Sequence, residues 1–178
     1  MIDFYIDEII RVMHEKAEDM TYYLYKETGD IVYVDENIAA GVEKEFDQTT
    51  TVLEEWSTDV EDDDMYHEKI YSPTDELDEK ELIKRIRFTK QDDYEPIPTV
   101  TTSEVKKIVK IYLDTETDYD EDFKITVMTS IKNIIIFEEI EEALLKHIGD
   151  KEKWTEFYQE TIKERVLNWL KSLGFEVM

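Results

Sequence analysis

Cysteine is absent from the 178 residues. That removes disulfides, thiolate nucleophiles and zinc–thiolate sites together, and it suits a reducing compartment. The four glycines are scattered too widely to build a phosphate-cradling loop. Long apolar runs are missing as well. The longest strongly apolar stretch, Ile134 to Phe137, falls far short of a membrane span. The opening Met1-Ile2-Asp3-Phe4 carries neither a basic n-region nor an apolar h-region, so no signal peptide is expected. The expectation is a cytoplasmic protein without membrane contact. Positive charge is scarce: 21 Lys and Arg stand against 46 Asp and Glu, for a net charge of −25.

That imbalance repels nucleic-acid phosphates and anionic membranes and attracts cations and basic protein surfaces, more strongly at low salt. Direct nucleic-acid binding is therefore not expected, and a basic protein partner is. Aromatic residues make up 12% of the chain, too many for a disordered acidic tail, because each ring seeks burial. The expected fold class is α+β and mostly helical: about six helices packed around one antiparallel β-hairpin, in a single domain over 1–178.

Apolar spacing at Ile6, Ile9, Ile10, Met13 and Ala17 predicts a helix within 3–20. Two aromatic and β-branched runs, Thr21 to Tyr25 and Ile31 to Val34, flank a connection containing Gly29 and predict the hairpin. Ile38, Val42 and Phe46 mark a short helix. Thr49-Thr50-Thr51 is expected to break it before a further piece around Val52, Leu53 and Trp56. Residues 45–79 hold fourteen acids against Lys69 alone, so −13 of the charge sits in 35 residues. The segment reads as a strongly acidic, partly loop-like insert whose centre, Asp59 to Asp64, is solvated.

A helix from about Asp75 to Phe88 ends in the basic cluster Lys84, Arg85, Arg87 and Lys90, where cations suit the helix dipole. Internal ion pairs with the acidic segments are the expected role of that cluster. Glu95-Pro96-Ile97-Pro98 reads as an extended linker, and Thr101 with Glu104 as a capping box. Helical spacing follows through Val105 to Tyr112, then through Phe123, Val127 and Ile131. Ile134 to Ile136 fits either a strand or the start of a buried helix, with helical spacing from about Ile136. The last helix is capped by Asp150, carries a stripe from Trp154 to Leu173, and ends at Gly174.

Three segments resemble a bacterial uncharacterised protein family, number 0158 in that series. They are Glu18 through Val32, with its Tyr22-Tyr23-Leu24 strand and Glu27-Thr28-Gly29-Asp30 turn; Asp93-Tyr94-Glu95-Pro96-Ile97-Pro98; and Trp154, Phe157 and Arg165-Val166-Leu167-Asn168-Trp169-Leu170. None of these is chemically specific. The family pattern places a basic Gly-Arg-Gly-Ala-Phe segment before the penultimate helix, where this chain has Lys132-Asn133-Ile134-Ile135-Ile136-Phe137-Glu138-Glu139. The resemblance implies a bacterial cytosolic protein and names no reaction.

No metal, cofactor or catalytic set stands out. Asp114, Glu116, Asp118, Asp120 and Asp122 alternate like calcium ligands, but an EF-hand loop needs glycine sixth and glutamate twelfth, where Tyr119 and Ile125 stand. Asp64 and His67 form one imperfect copy of a motif that di-metal bundles need twice. His14 and His147 sit beside apolar stripes, where histidines are more often packed or solvent-facing than catalytic. The favoured reading is a non-enzymatic interaction or regulatory protein that docks basic protein surfaces, with Asp59, Glu61, Asp62, Asp63, Asp64, Asp118, Asp120 and Asp122 as candidate contact residues. A nucleic-acid mimic with acid rows on helices 36–58 and 75–84 is the alternative, and a small carboxylate-dependent enzyme the third.

Overall fold

The computed structural model describes residues 5–15, 19–56, 79–115 and 119–176; side chains are described for these except at 48–56. Among the described residues there are seven α-helices and one three-stranded antiparallel sheet, a mostly helical α+β fold. The chain divides into two compact units, one containing 16–97 and the other containing 6–15 with 98–178.

In the first unit the hairpin strands β1 (Met20–Tyr25) and β2 (Ile31–Asp35) pair with Tyr23 opposite Val32 and Thr21 opposite Val34. Gly29 supplies the positive φ of 83° that the connection requires. A third strand, β3 (Tyr94–Pro96), joins the free edge of β1, so the order is β2-β1-β3. The stretch expected as a linker is extended and also hydrogen-bonded. Pro96 is tolerated there because β3 is an edge strand.

Alternation places Tyr23, Tyr25, Val32 and Val34 on one face of this sheet. There they meet Ala39 and Val42 of α2 (Glu36–Trp56) and Ile83 of α3 (Glu79–Lys84), together with Ile86. The side chain of Asp35 starts α2 by accepting from the backbone N–H of Asn37 at 2.8 Å. The break expected at Thr49 to Thr51 does not occur: α2 runs unbroken to Trp56. Threonine costs only about 0.6 kcal/mol per helical position, which a continuing helix absorbs.

Beyond α3 the backbone widens into a π turn over Arg85–Thr89, closed by the Lys90 N–H donating to the Arg85 carbonyl at 2.8 Å. This turn aims Arg87 at α2. Its guanidinium reaches Glu36 at 2.6 Å and Glu43 at 3.5 Å and lies 5.8 Å from the centre of the Tyr23 ring. Of the basic cluster, Arg87 thus pairs with α2, ahead of the acidic segment, and Lys84 with Glu81 of its own helix at 3.8 Å; Lys80, outside the cluster, meets Glu45 at 3.5 Å.

The second unit is helical: α1 (Ile6–His14), α4 (Thr102–Thr115), α5 (Glu121–Ile131), α6 (Phe137–Ile148) and α7 (Lys151–Ser172). Helix α7 buries Trp154, Tyr158, Ile162, Val166 and Leu170 at four-residue steps. Burying side chains of this size contributes about 1.5–3 kcal/mol each. Tyr112 of α4 meets the fully buried Trp154 edge-on at 5.4 Å.

The predicted capping box forms: Glu104 accepts from the Thr101 N–H at 2.9 Å, and Thr101 Oγ1 accepts from the Glu104 N–H at 3.3 Å. Asp150 caps α7 by accepting from the Lys153 N–H at 3.1 Å. At its far end Gly174, with φ 88°, lets its own N–H reach the Lys171 carbonyl while Phe175 reaches Leu170, closing a Schellman motif. Ile134 to Ile136 are neither strand nor buried helix. They form an irregular connection in which Ile135 is 77% exposed, and Ile136 is the N-cap residue of α6.

Candidate functional site

No polar or charged residue is buried among the described residues, so their carboxylates face outward. No group of three or more potential metal-ligating side chains converges among them. No described helix is long and apolar enough to cross a membrane.

Asp59, Glu61, Asp62, Asp63, Asp64 and Asp118 lie outside the described residues, as does the pair Asp64 and His67. Asp120 acts as the N-cap of α5, accepting from the Phe123 N–H at 2.8 Å, and Asp122 is exposed in the first turn. Nearby Asp114 pairs with Lys124 at 3.4 Å, and Lys124 also meets Glu121 at 3.2 Å. The hydrogen bond that Lys124 donates to Glu121, with the one it donates to Asp114, holds its ammonium above the ordinary lysine value. Asp114 and Asp120 therefore have structural partners of their own.

A different surface combines a concavity with unpaired charge. Helix α1 packs along α7, fixed at its end by His14. His14 Nδ1 lies 2.7 Å from the Ile10 carbonyl, which can only accept, so that nitrogen carries the proton. In the neutral ring Nε2 then accepts from the Tyr158 hydroxyl at 2.8 Å. Phe137 closes on both rings, at 5.9 Å from His14 and 5.4 Å from Tyr158. Burial, opposed by Arg165 and assisted by Glu141 and Glu104, pushes the Tyr158 phenol well above the ordinary tyrosine value. It is a hydrogen-bond donor at physiological pH and not a base.

Along the same pair of helices runs an open groove of about 1080 Å³. One wall is Asp7, Ile10 and Arg11 of α1. The other consists of two adjacent rows of α7: Lys151, Thr155, Gln159 and Lys163, and Glu152, Glu156 and Glu160. Arg11 is already engaged by Glu8 at 2.5 Å and Glu15 at 2.9 Å. Glu152, Glu156 and Glu160 are exposed and make no ion pair with any described residue. Glu164 continues their row one turn further. These four glutamates repeat every four residues, hence every ~6 Å along the axis.

The sequence pattern of the Uncharacterised protein family (UPF0158) matches residues 58–178. The chain belongs to this family. UPF0158 proteins of Chlamydia trachomatis and Chlamydia muridarum are each 33% identical over 85 residues, 48% of this chain and 26% and 25% of their own lengths. That of Chlamydia pneumoniae is 33% identical over 79 residues, 44% of this chain and 24% of its own. The chain thus spans about a quarter of the length of these curated relatives. No solved structure matches the chain significantly.

The UPF0158 span contains α7 and its glutamate row, whereas α1 and the hairpin precede it. The resemblance read at 18–32 therefore lies outside the matched span, and those at 93–98 and in α7 lie within it. Sequence reading missed the groove. A projection of residues 152–164 at 100° per residue exposes the glutamate row, but the facing helix α1, more than 130 positions earlier, leaves no local signal.

Proposed function

We propose that this UPF0158 chain is a cytosolic, non-enzymatic docking protein that engages cationic surfaces of other proteins. One observation carries the reading: a net charge of −25 coexists with an interior that buries no charged side chain among the described residues, so the described carboxylates stand at the surface. Such a field accelerates encounter with a basic partner and disfavours acidic ones. Aromatic and aliphatic contacts would supply most of the affinity once the partner is seated.

Capture of host proteins on the immobilised chain, at low and at high salt, tests this. The expected outcome is a small set of proteins with basic surface patches, retained at low salt and released at high salt. Captured proteins of ordinary charge that resist salt would overturn the reading, and so would turnover of a metabolite by the purified chain.

The repeated charge of Glu152, Glu156, Glu160 and Glu164 favours one narrower version, imitation of a phosphate row in the cationic groove of a nucleic-acid-binding protein. In that case duplex DNA or RNA competes with the chain for the captured partner. A partner held equally well in the presence of excess nucleic acid excludes mimicry and leaves general docking.

A further inference from the structure

We infer that the groove between α1 and α7 receives a basic amphipathic helix of a partner protein. The inference rests on the docking reading above and gives it a site and a ligand chemistry.

The α7 wall runs from Lys151 to Lys163, about 18 Å at the helical rise, or just over three turns. That length suits a partner helix of about 12 residues. The floor offers apolar contact from Ile10, from the methyl group of Thr155 and from the stems of the long side chains. Between the two terminal lysines, every charge on the α7 wall is negative: Glu152, Glu156 and Glu160. Asp7 adds a carboxylate from the α1 side, and Arg11 is neutralised by Glu8 of its own helix and by Glu15 just beyond its end.

Charge complementarity therefore selects the occupant. A helix with lysine or arginine at four-residue intervals matches the glutamate row step for step, since both repeat with the same rise. Its apolar stripe, adjoining that basic row, faces Ile10. An acidic or neutral helix would leave three adjacent carboxylates desolvated without partners, which is unfavourable. Helix-in-groove binding of this kind is read through anchors at i, i+3, i+4 and i+7.

The test uses the full chain and two synthetic peptides of about 14 residues with identical Lys and Leu composition. One is patterned as an amphipathic helix, and the other is scrambled so that no face is apolar. Binding is followed by fluorescence anisotropy at roughly 50 mM salt, and the contact surface by backbone amide shifts. The patterned peptide is expected to bind more tightly than the scrambled one, to turn helical, and to shift amides of α1 and α7. The triple variant Glu152→Gln, Glu156→Gln, Glu160→Gln is expected to weaken it about tenfold. A control triple on α6, Glu138→Gln, Glu139→Gln, Glu142→Gln, is expected to change it by less than about twofold.

Equal binding of both peptides, weakened as much by the α6 variant as by the α7 variant, overturns the groove and leaves general cationic docking standing. Binding of neither peptide, while host capture still yields salt-sensitive basic partners, also overturns the groove alone. Dimerisation of the free protein that the α7 variant abolishes reassigns the groove to a second copy of the chain. Failure of both the peptides and the host capture removes the docking reading as well.

Discussion

The hydroxyl of Tyr158 lies 2.8 Å from Nε2 of His14, and this contact ties the end of α1 to the middle of α7. The two residues are 144 positions apart, and each is held by a second interaction. His14 Nδ1 is fixed by the Ile10 carbonyl, and the Tyr158 ring packs on Trp154 at 5.4 Å. Tyr158→Phe keeps the ring and removes the donor. The expected loss is about 1 kcal/mol of unfolding free energy, read as a lower urea midpoint at unchanged slope. Amides of α1 should exchange faster, because α1 loses its polar tie to α7. An unchanged midpoint with unchanged α1 exchange would show that the contact contributes nothing.

Glu104 provides an acid-side prediction. Desolvation works to raise its carboxyl, but the Thr101 N–H and hydroxyl and the Arg165 guanidinium at 2.9 Å more than offset it and hold it below the ordinary glutamate value. A group depressed in the folded state adds stability that is fully present above its unfolded pKa, about 4.3. That contribution is lost as pH falls through the lower folded value. Glu104→Gln should therefore be less stable than the parent at neutral pH, with the gap closing on acidification. A gap that stays constant from neutral to acid pH contradicts this account.

The tyrosines set the alkaline limit. A hydrogen bond to Glu27, with burial and nearby carboxylates, pushes Tyr25 up to about 12. Burial raises Tyr23 and Tyr94 as well. Raised groups contribute stability that is complete below the unfolded value, about 10, and lost as pH climbs through the folded one. Stability should decline from about pH 10 toward 12, and Glu27→Gln should let Tyr25 ionise earlier. Spectrophotometric titration of phenolate in the two proteins checks it; coincident curves would remove Glu27 as the cause.

Arg87 tests what the π turn achieves. Its guanidinium meets Glu36 through both carboxylate oxygens, at 2.8 and 2.6 Å, and its side chain is only 29% exposed. Lysine carries the charge but cannot reproduce planar contact with Glu36 together with its approach to Glu43. Arg87→Lys should cost about 1 kcal/mol, and a double-mutant cycle with Glu36→Gln should recover a similar coupling. A coupling near zero would place the pair among exposed ion pairs of no consequence.

Elements with a local cause were legible from the chain. The hairpin follows from two β-branched runs around Gly29, the α4 cap from Thr101 and Glu104, and α7 from Asp150, its stripe and Gly174. What needed partners far along the chain was not. Nothing near Tyr94 announces pairing with Tyr25, because β3 is three residues long and ends in a proline. Nor does Ile134-Ile135-Ile136 announce exposure, since composition alone favours burial. The break expected in α2 misjudged three threonines whose small propensity cost a 21-residue helix tolerates. Among candidate contact residues, Asp120 and Asp122 drew attention by density of charge, which does not distinguish a capping residue from one that awaits a partner.

The wide turn at Arg85–Thr89 contains one more residue per closed ring than an α-helix does. An extra residue held in a wide turn leaves the segments on either side facing as they would across an ordinary one. Delete Thr89 and an α turn can close in its place, with β3 still paired to β1. What changes is the aim of the residues inside the turn: the guanidinium now held by Glu36 and Glu43 would be turned away from them. A single-codon deletion here thus isolates how far that ion pair depends on the width of the turn.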